Sequence, residues 1–113
     1  MNWNTLTEAT QLQDIKAESE EVSVLIFKHS TRCSISSAAL NRLERAWRDD
    51  ETGRVKPYYL DLLTYRTVSN QIALEFGIEH ESPQVLLIRD GDCVYSASHM
   101  GINYKDILSS AGK

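Results

Sequence analysis

The sequence predicts an α/β sandwich, with a central mixed sheet of four to five strands and helices on both faces. Three observations predict it. Strand-like apolar runs alternate with segments of helical period, the pattern of parallel strands joined by crossover helices. The run Val22–Phe27 carries apolar residues on both of its faces, as a covered central strand must. Asp90-Gly91 lies between two extended runs and signals a tight hairpin, which makes the last two strands antiparallel.

Each element follows in chain order. Trp3 to Leu6 reads as a short edge strand. Thr7 to about Ser19 reads as a helix with Leu12 and Ile15 on one side, and Glu18, Glu20 and Glu21 oppose the dipole at its end, which predicts fraying. Val22–Phe27 is the central strand, and Lys28 to Arg32 turns the chain. Ile35, Ala39, Leu43 and Ala46 recur every three or four residues, so Cys33 to about Arg48 is an amphipathic helix. Asp49–Gly53 is a loop. Val55–Leu60 is a second, parallel strand, with Pro57 suited to its start or to a sheet edge. Tyr65–Phe76 is a helix striped by Val68, Ile72 and Phe76, and Gly77 stops it in the left-handed conformation. Val85–Ile88 and Cys93–Ser98 form the hairpin, and Tyr104 to about Ser110 is a terminal helix.

Composition narrows the function classes. The chain of 113 residues is long enough for one domain, and that domain can bury a core without disulfide support. A net charge of −4 argues against a general nucleic-acid or membrane-surface binder, since both partners are anionic. The first residues show neither a basic stretch nor an apolar core, so no secretory leader is expected. Two cysteines in such a chain fit a reducing, cytoplasmic setting.

The chemistry concentrates at Cys33, which opens a helix directly after the central strand. The positive end of the helix dipole, with Arg32 beside it and Lys28 and His29 near in sequence, favours a thiolate there. The fourth residue of Cys33-Ser34-Ile35-Ser36 is a serine, and a hydroxyl forms no disulfide. Ser36 lies one turn on, where it is suited to donate a hydrogen bond to the thiolate. A mixed disulfide on Cys33 then has to be resolved from outside, by a small thiol or another protein. Cys93 is an unsuitable resolver. It follows the hairpin turn, about 15–20 Å from the reactive end at ~3.3 Å per residue, and reads as a small buried residue. His29 is near enough in sequence to approach Cys33, but it reads as a solvated loop histidine. Asp61 and Arg66 read as a structural ion pair, with part of a binding surface as the second reading. No metal-ligand spacing is present, and no tightly bound cofactor is expected.

The element order is similar to that of thioredoxin-like folds. Three local features agree: Cys33 at the helix start, Ser82-Pro83 before the third core strand, and the Asp90-Gly91 hairpin followed by Gly101 before the last helix. The resemblance implies that Pro83 is cis and lies against the reactive thiol. Two alternatives stay open: a non-enzymatic thioredoxin-like interaction module, and a monothiol glutaredoxin-like protein using glutathione or an iron–sulfur cluster. The chain lacks the Cys-Gly-Phe-Ser signature of the latter.

Three further segments carry a closer resemblance. Phe27–Cys33 with Ile35-Ser36, Tyr59–Leu62 with Tyr65-Arg66 and Val68–Asn70, and His80–Gln84 with Ala97–His99 resemble the monothiol bacilliredoxins of the YtxJ type. One departure stands out. The family usually has proline after the cysteine, and here the residue is Ser34. The resemblance implies a thiol–disulfide oxidoreductase in which Cys33 takes bacillithiol, or a similar small thiol, from cytoplasmic proteins that carry it as a mixed disulfide. Cys33 and Ser36 are the expected catalytic residues. Thr31, Arg32, Ser82, Pro83, His99 and Lys28 are the expected contacts of the bound thiol, Ser82 through its backbone.

Overall fold

The computed structural model describes residues 1–111. In chain order the elements are β1 (Asn4–Thr5), α1 (Gln11–Glu18), β2 (Ser23–His29), α2 (Ser34–Ala46), β3 (Val55–Asp61), α3 (Arg66–Phe76), β4 (Gln84–Arg89), β5 (Asp92–Ser98), a single 3-10 turn (His99–Gly101) and α4 (Tyr104–Ala111). The five strands form one sheet in the order β1-β3-β2-β4-β5. β1, β3 and β2 run parallel, β4 is antiparallel to β2, and β5 is antiparallel to β4. This is the predicted mixed α/β sandwich at the upper strand count.

β2 is central because it has no polar face to show to water, and all seven of its residues are buried. Alternate strand residues point to opposite faces. Val24 and Ile26 pack with Leu12 and Ile15 of α1 and Val68 and Ile72 of α3. Leu25 and Phe27 pack on the other face with Ala39 and Leu43 of α2 and Ile107 of α4. Each fully buried side chain of this size contributes roughly 1.5–3 kcal/mol, so the two layers hold the sheet from both sides.

Several expectations shift. β2 continues two residues beyond Phe27, through Lys28 and His29, because both pair across the sheet with Leu60 and Asp61 of β3. α1 starts at Gln11 rather than Thr7; the Gln11 side chain accepts the Thr7 and Glu8 N–H groups and caps the turn before it. The end of α1 is tied down by Glu18, which the sequence marks as a source of fraying. Its carboxylate takes hydrogen bonds from Lys56 and Tyr58, each at 2.7 Å. Desolvation works against the charge, and these two donors still hold the Glu18 carboxyl below its ordinary range. Pro57 lies on β3 beside the two-residue β1, which pairs with Tyr58 and Tyr59, and the Asn4 side chain donates to Pro57 O at 3.1 Å.

The turn chemistry behaves as predicted. Gly77 ends α3 at φ 65°, and Asp90 and Gly91 take φ 51° and 82°. Two consecutive positive φ values are what the favoured two-residue hairpin requires. Val94 is an extra residue in β5, since Leu87 faces Tyr95 and Ile88 faces Cys93. Among the described residues no helix is long and apolar enough to cross a membrane.

Candidate active site

Cys33 stands at the junction that the sheet and α2 create. β2 ends at His29, the chain turns over Ser30 to Arg32, and the Cys33 N–H donates to Ser30 O at 3.1 Å. Cys33 is the N-cap of α2, extended at φ −109° and ψ 120°, and its carbonyl accepts the Ser37 N–H at 3.0 Å. The first turn of α2 has no acidic side chain to offset the dipole. The thiol is half-buried and free, and among the described residues its sulfur has no hydrogen-bond partner.

Ser36 is one turn further and fully buried. Its hydroxyl is turned inward: Oγ lies 2.7 Å from His29 Nδ1 and accepts the Ser30 N–H at 3.1 Å. The expected hydrogen bond to the Cys33 sulfur is not made in this arrangement. His29 is likewise not a solvated loop residue. It is the last residue of β2, 5% exposed, with its ring 5.6 Å from that of Tyr59. Burial is the largest influence on the ring and holds it below the ordinary histidine range, against the opposing pull of Asp61 and Glu44. The strand period offers a signal for this. Leu25, Phe27 and His29 share one face, and that face carries α2.

Ser82-Pro83 begins the neighbouring strand at the same end of the sheet, and the peptide bond between them is cis. Lys28 faces Gln84 across the β2–β4 ladder, which brings Pro83 level with the end of β2. Among the described residues, Ser82 Oγ and Gln84 Oε1 are buried with no hydrogen-bond partner. β5 returns to this end: Ser98 faces Gln84, and the His99 N–H donates to Pro83 O at 3.1 Å. His99 holds a left-handed φ of 53°, unusual for a residue with a Cβ. Its Nδ1 lies 3.7 Å from Glu81 Oε1, a partner that the sequence does not suggest. Met100, the next residue, is 82% exposed, and Ile35 in the first turn of α2 is 53% exposed. The 3-10 turn carrying Met100 packs against α2, so the thiol end has an apolar rim.

Of the other expected contacts, Thr31 and Arg32 are exposed on the turn before Cys33. Lys28 is a correction. It is fully buried, and its ammonium donates to Ser69 O at 3.2 Å and lies 3.3 Å from His80 Nδ1. The strand period puts it on the face of Val24 and Ile26, under α3, so it does not reach a thiol bound at the surface. Burial lowers the amine to about 8. His80 is pushed down by desolvation, then by the Lys28 and Arg66 charges, and Ser69 Oγ lies 3.3 Å from the same ring nitrogen. Asp61 and Arg66 make no ion pair among the described residues. The Asp61 carboxylate instead accepts the Thr64 hydroxyl at 2.8 Å.

Cys93 faces Ile88, which faces Val24 at the start of β2. Five strand residues therefore separate it from the His29 end, roughly 17 Å at ~3.3 Å per residue. It packs partly against the core, its sulfur is within hydrogen-bond distance of Tyr95 O at 3.3 Å, and burial pushes its thiol up. It cannot reach Cys33 without unfolding the sheet.

Known proteins are similar to this chain in sequence and fold. The family described as monothiol bacilliredoxin BrxC matches residues 4–107. A solved thioredoxin-fold protein, described as a proposed oxidoreductase, is 28% identical with a TM-score of 0.78; the match covers 96% of this chain and 92% of that one. A thioredoxin from Malassezia sympodialis is 10% identical at TM-score 0.75, with 98% and 89% covered. A thioredoxin from Fasciola hepatica is 16% identical at TM-score 0.70, with 96% of each chain covered. The two thioredoxins share the fold alone.

Proposed function

The chain belongs to the monothiol bacilliredoxin family, and from that premise we propose that Cys33 removes bacillithiol, or a similar small thiol, from protein mixed disulfides in a reducing cytoplasm. The observation that carries the reading is a half-buried, unpaired thiol at a helix start, with the other cysteine at the far end of the sheet. The Cys33 thiolate attacks the small thiol's sulfur in the mixed disulfide. A new Cys33–small-thiol disulfide forms, and the protein thiolate leaves and takes a proton from water. A second small-thiol thiolate then attacks that adduct, forms the small-molecule disulfide and returns the Cys33 thiolate. Both steps conserve disulfide bonds, so no electrons enter from outside.

Ser36 holds the first turn of α2, and the backbone at Ser82 is the edge against which the bound thiol lies. Thr31, Arg32 and His99 contact its polar groups. The apolar rim of Ile35 and Met100 suits a folded protein substrate better than a free small molecule.

The test incubates the protein with a bacillithiolated substrate and measures the released substrate thiol by mass spectrometry. Release by the wild type and none by Cys33→Ser supports the proposal. Equal release by both overturns it.

A further inference from the structure

We propose that His29 is a positioning residue for Cys33 that acts through Ser36: the proton on His29 Nδ1 decides whether the Ser36 hydroxyl can donate to the Cys33 thiolate. This rests on the reading of Cys33 as the nucleophile, and it adds a control on that nucleophile.

The argument is a count of protons on one oxygen. Ser36 Oγ has one proton to give and two lone pairs. One lone pair is used, because the Ser30 N–H donates to it at 3.1 Å. The 2.7 Å contact with His29 Nδ1 uses either the proton or the second lone pair. When Nδ1 is bare, Ser36 must donate to it. The remaining lone pair can then accept a thiol S–H, and it repels a thiolate. When Nδ1 carries a proton, the ring donates, the second lone pair is used, and the hydroxyl proton is released. It is then free to turn toward Cys33, one helical turn away. Ser36 is completely buried, so water does not replace either partner.

The groups around the ring bias this choice. Asp61 on β3 faces His29 across the β2–β3 ladder, and Glu44 projects from α2; both favour a charged ring. The rings of Tyr59 on β3 and Phe27 on β2 are apolar neighbours at 5.6 and 6.2 Å. Burial outweighs the two carboxylates. The ring is therefore neutral at neutral pH, and Nδ1 gains its proton either from acid or by moving the ring proton from Nε2. Formation of the thiolate draws the ring into the Nδ1–H tautomer, because only that form lets Ser36 donate outward. Coupling of this kind is reciprocal.

Two measurements test it. The first follows iodoacetamide alkylation of Cys33, read on its own peptide, across pH in wild type, Ser36→Ala and His29→Phe. Below the titration of the His29 ring, wild type should react about tenfold faster than Ser36→Ala, the scale of one hydrogen bond to a charged group. Above it the ratio should fall, because Ser36 then donates only after the ring proton has moved from Nε2 to Nδ1. His29→Phe, with the hydroxyl freed, should keep the advantage at every pH. A wild-type to Ser36→Ala ratio that does not change with pH overturns the proposal.

The second measurement needs no substitution at either polar residue. Ring 15N shifts of His29 should show Nδ1 gaining the proton as Cys33 ionises in wild type, and no such change in Cys33→Ala. An unchanged ring in wild type overturns the proposal even where His29→Phe does not fold. Both readouts follow the thiol and not turnover. Substrate release with no coupling sinks this inference alone, and coupling without release sinks the substrate assignment alone.

Discussion

The Ser36 hydroxyl accepts the Ser30 N–H at 3.1 Å, so the first turn of α2 holds the loop that presents Cys33. A serine at this place therefore has a structural duty in addition to the chemical consequence of not being a cysteine. The loop has few other ties: the Cys33 N–H to Ser30 O bond closes it from the other side.

Ser36→Ala should leave the Ser30 N–H and His29 Nδ1 without partners in a dry site. An orphaned buried group costs about 1–3 kcal/mol. Urea unfolding should show a lower midpoint with an unchanged slope, the sign of lost stability without a changed unfolded state. A midpoint equal to wild type would mean that water reaches the site.

Ser36→Cys should convert an externally resolved protein into an internally resolved one. The introduced thiol would attack the Cys33 adduct and release the small thiol, leaving an intramolecular disulfide between Cys33 and the new thiol. Intact-mass measurements should show the wild-type adduct persisting without added thiol and the variant adduct disappearing. Persistence in both would place the two sulfurs out of reach of one another.

Lys28 should make stability depend on alkaline pH. Its amine titrates at about 8 when folded, against an ordinary 10.5. Between these values the unfolded chain holds a proton that the folded chain has lost, so stability rises with pH across that window. Below pH 8 the amine is charged in both states, and the burial penalty is present in full. Lys28→Met removes the term. Wild type should gain on Lys28→Met by on the order of 3 kcal/mol between pH 7 and pH 11, read from urea midpoints. A difference that is flat with pH would show that the buried amine keeps its charge.

Gly77→Ala should cost about 1 kcal/mol, because φ 65° is left-handed and the space around the missing Cβ is empty. Thermal unfolding should shift down by a few degrees with no change in thiol reactivity. A stability equal to wild type would mean that α3 ends by another route.

Most of the fold is legible in local patterns. The apolar run of β2, the stripes of α2 and α3, Gly77 and Asp90-Gly91 each state their own structure, since period and turn chemistry are local properties. Misreadings gather where a polar side chain finds a distant partner. Glu18 looks like a fraying helix end until Lys56 and Tyr58 arrive from β3. Lys28 and His29 look like turn residues because a charge and an imidazole are unusual on a buried strand. Sheet pairing with Leu60 and Asp61 overrides that local preference. Asp61 looks like a partner for Arg66 and instead bonds Thr64 three residues on.

By itself the sequence determined a thiol at a helix start, a serine in place of a second thiol, a proline at the head of the facing strand and a second cysteine at the wrong end of a hairpin. These follow from identity and spacing along the chain. Only the tertiary structure decided what the polar residues beside Cys33 do. It buried Lys28 under one face of the sheet and His29 under the other, and it turned the Ser36 hydroxyl inward to meet His29. The reason is physical. Alternation along a strand chooses a face, but which element covers that face, and at what distance, is set by the packing of both layers at once.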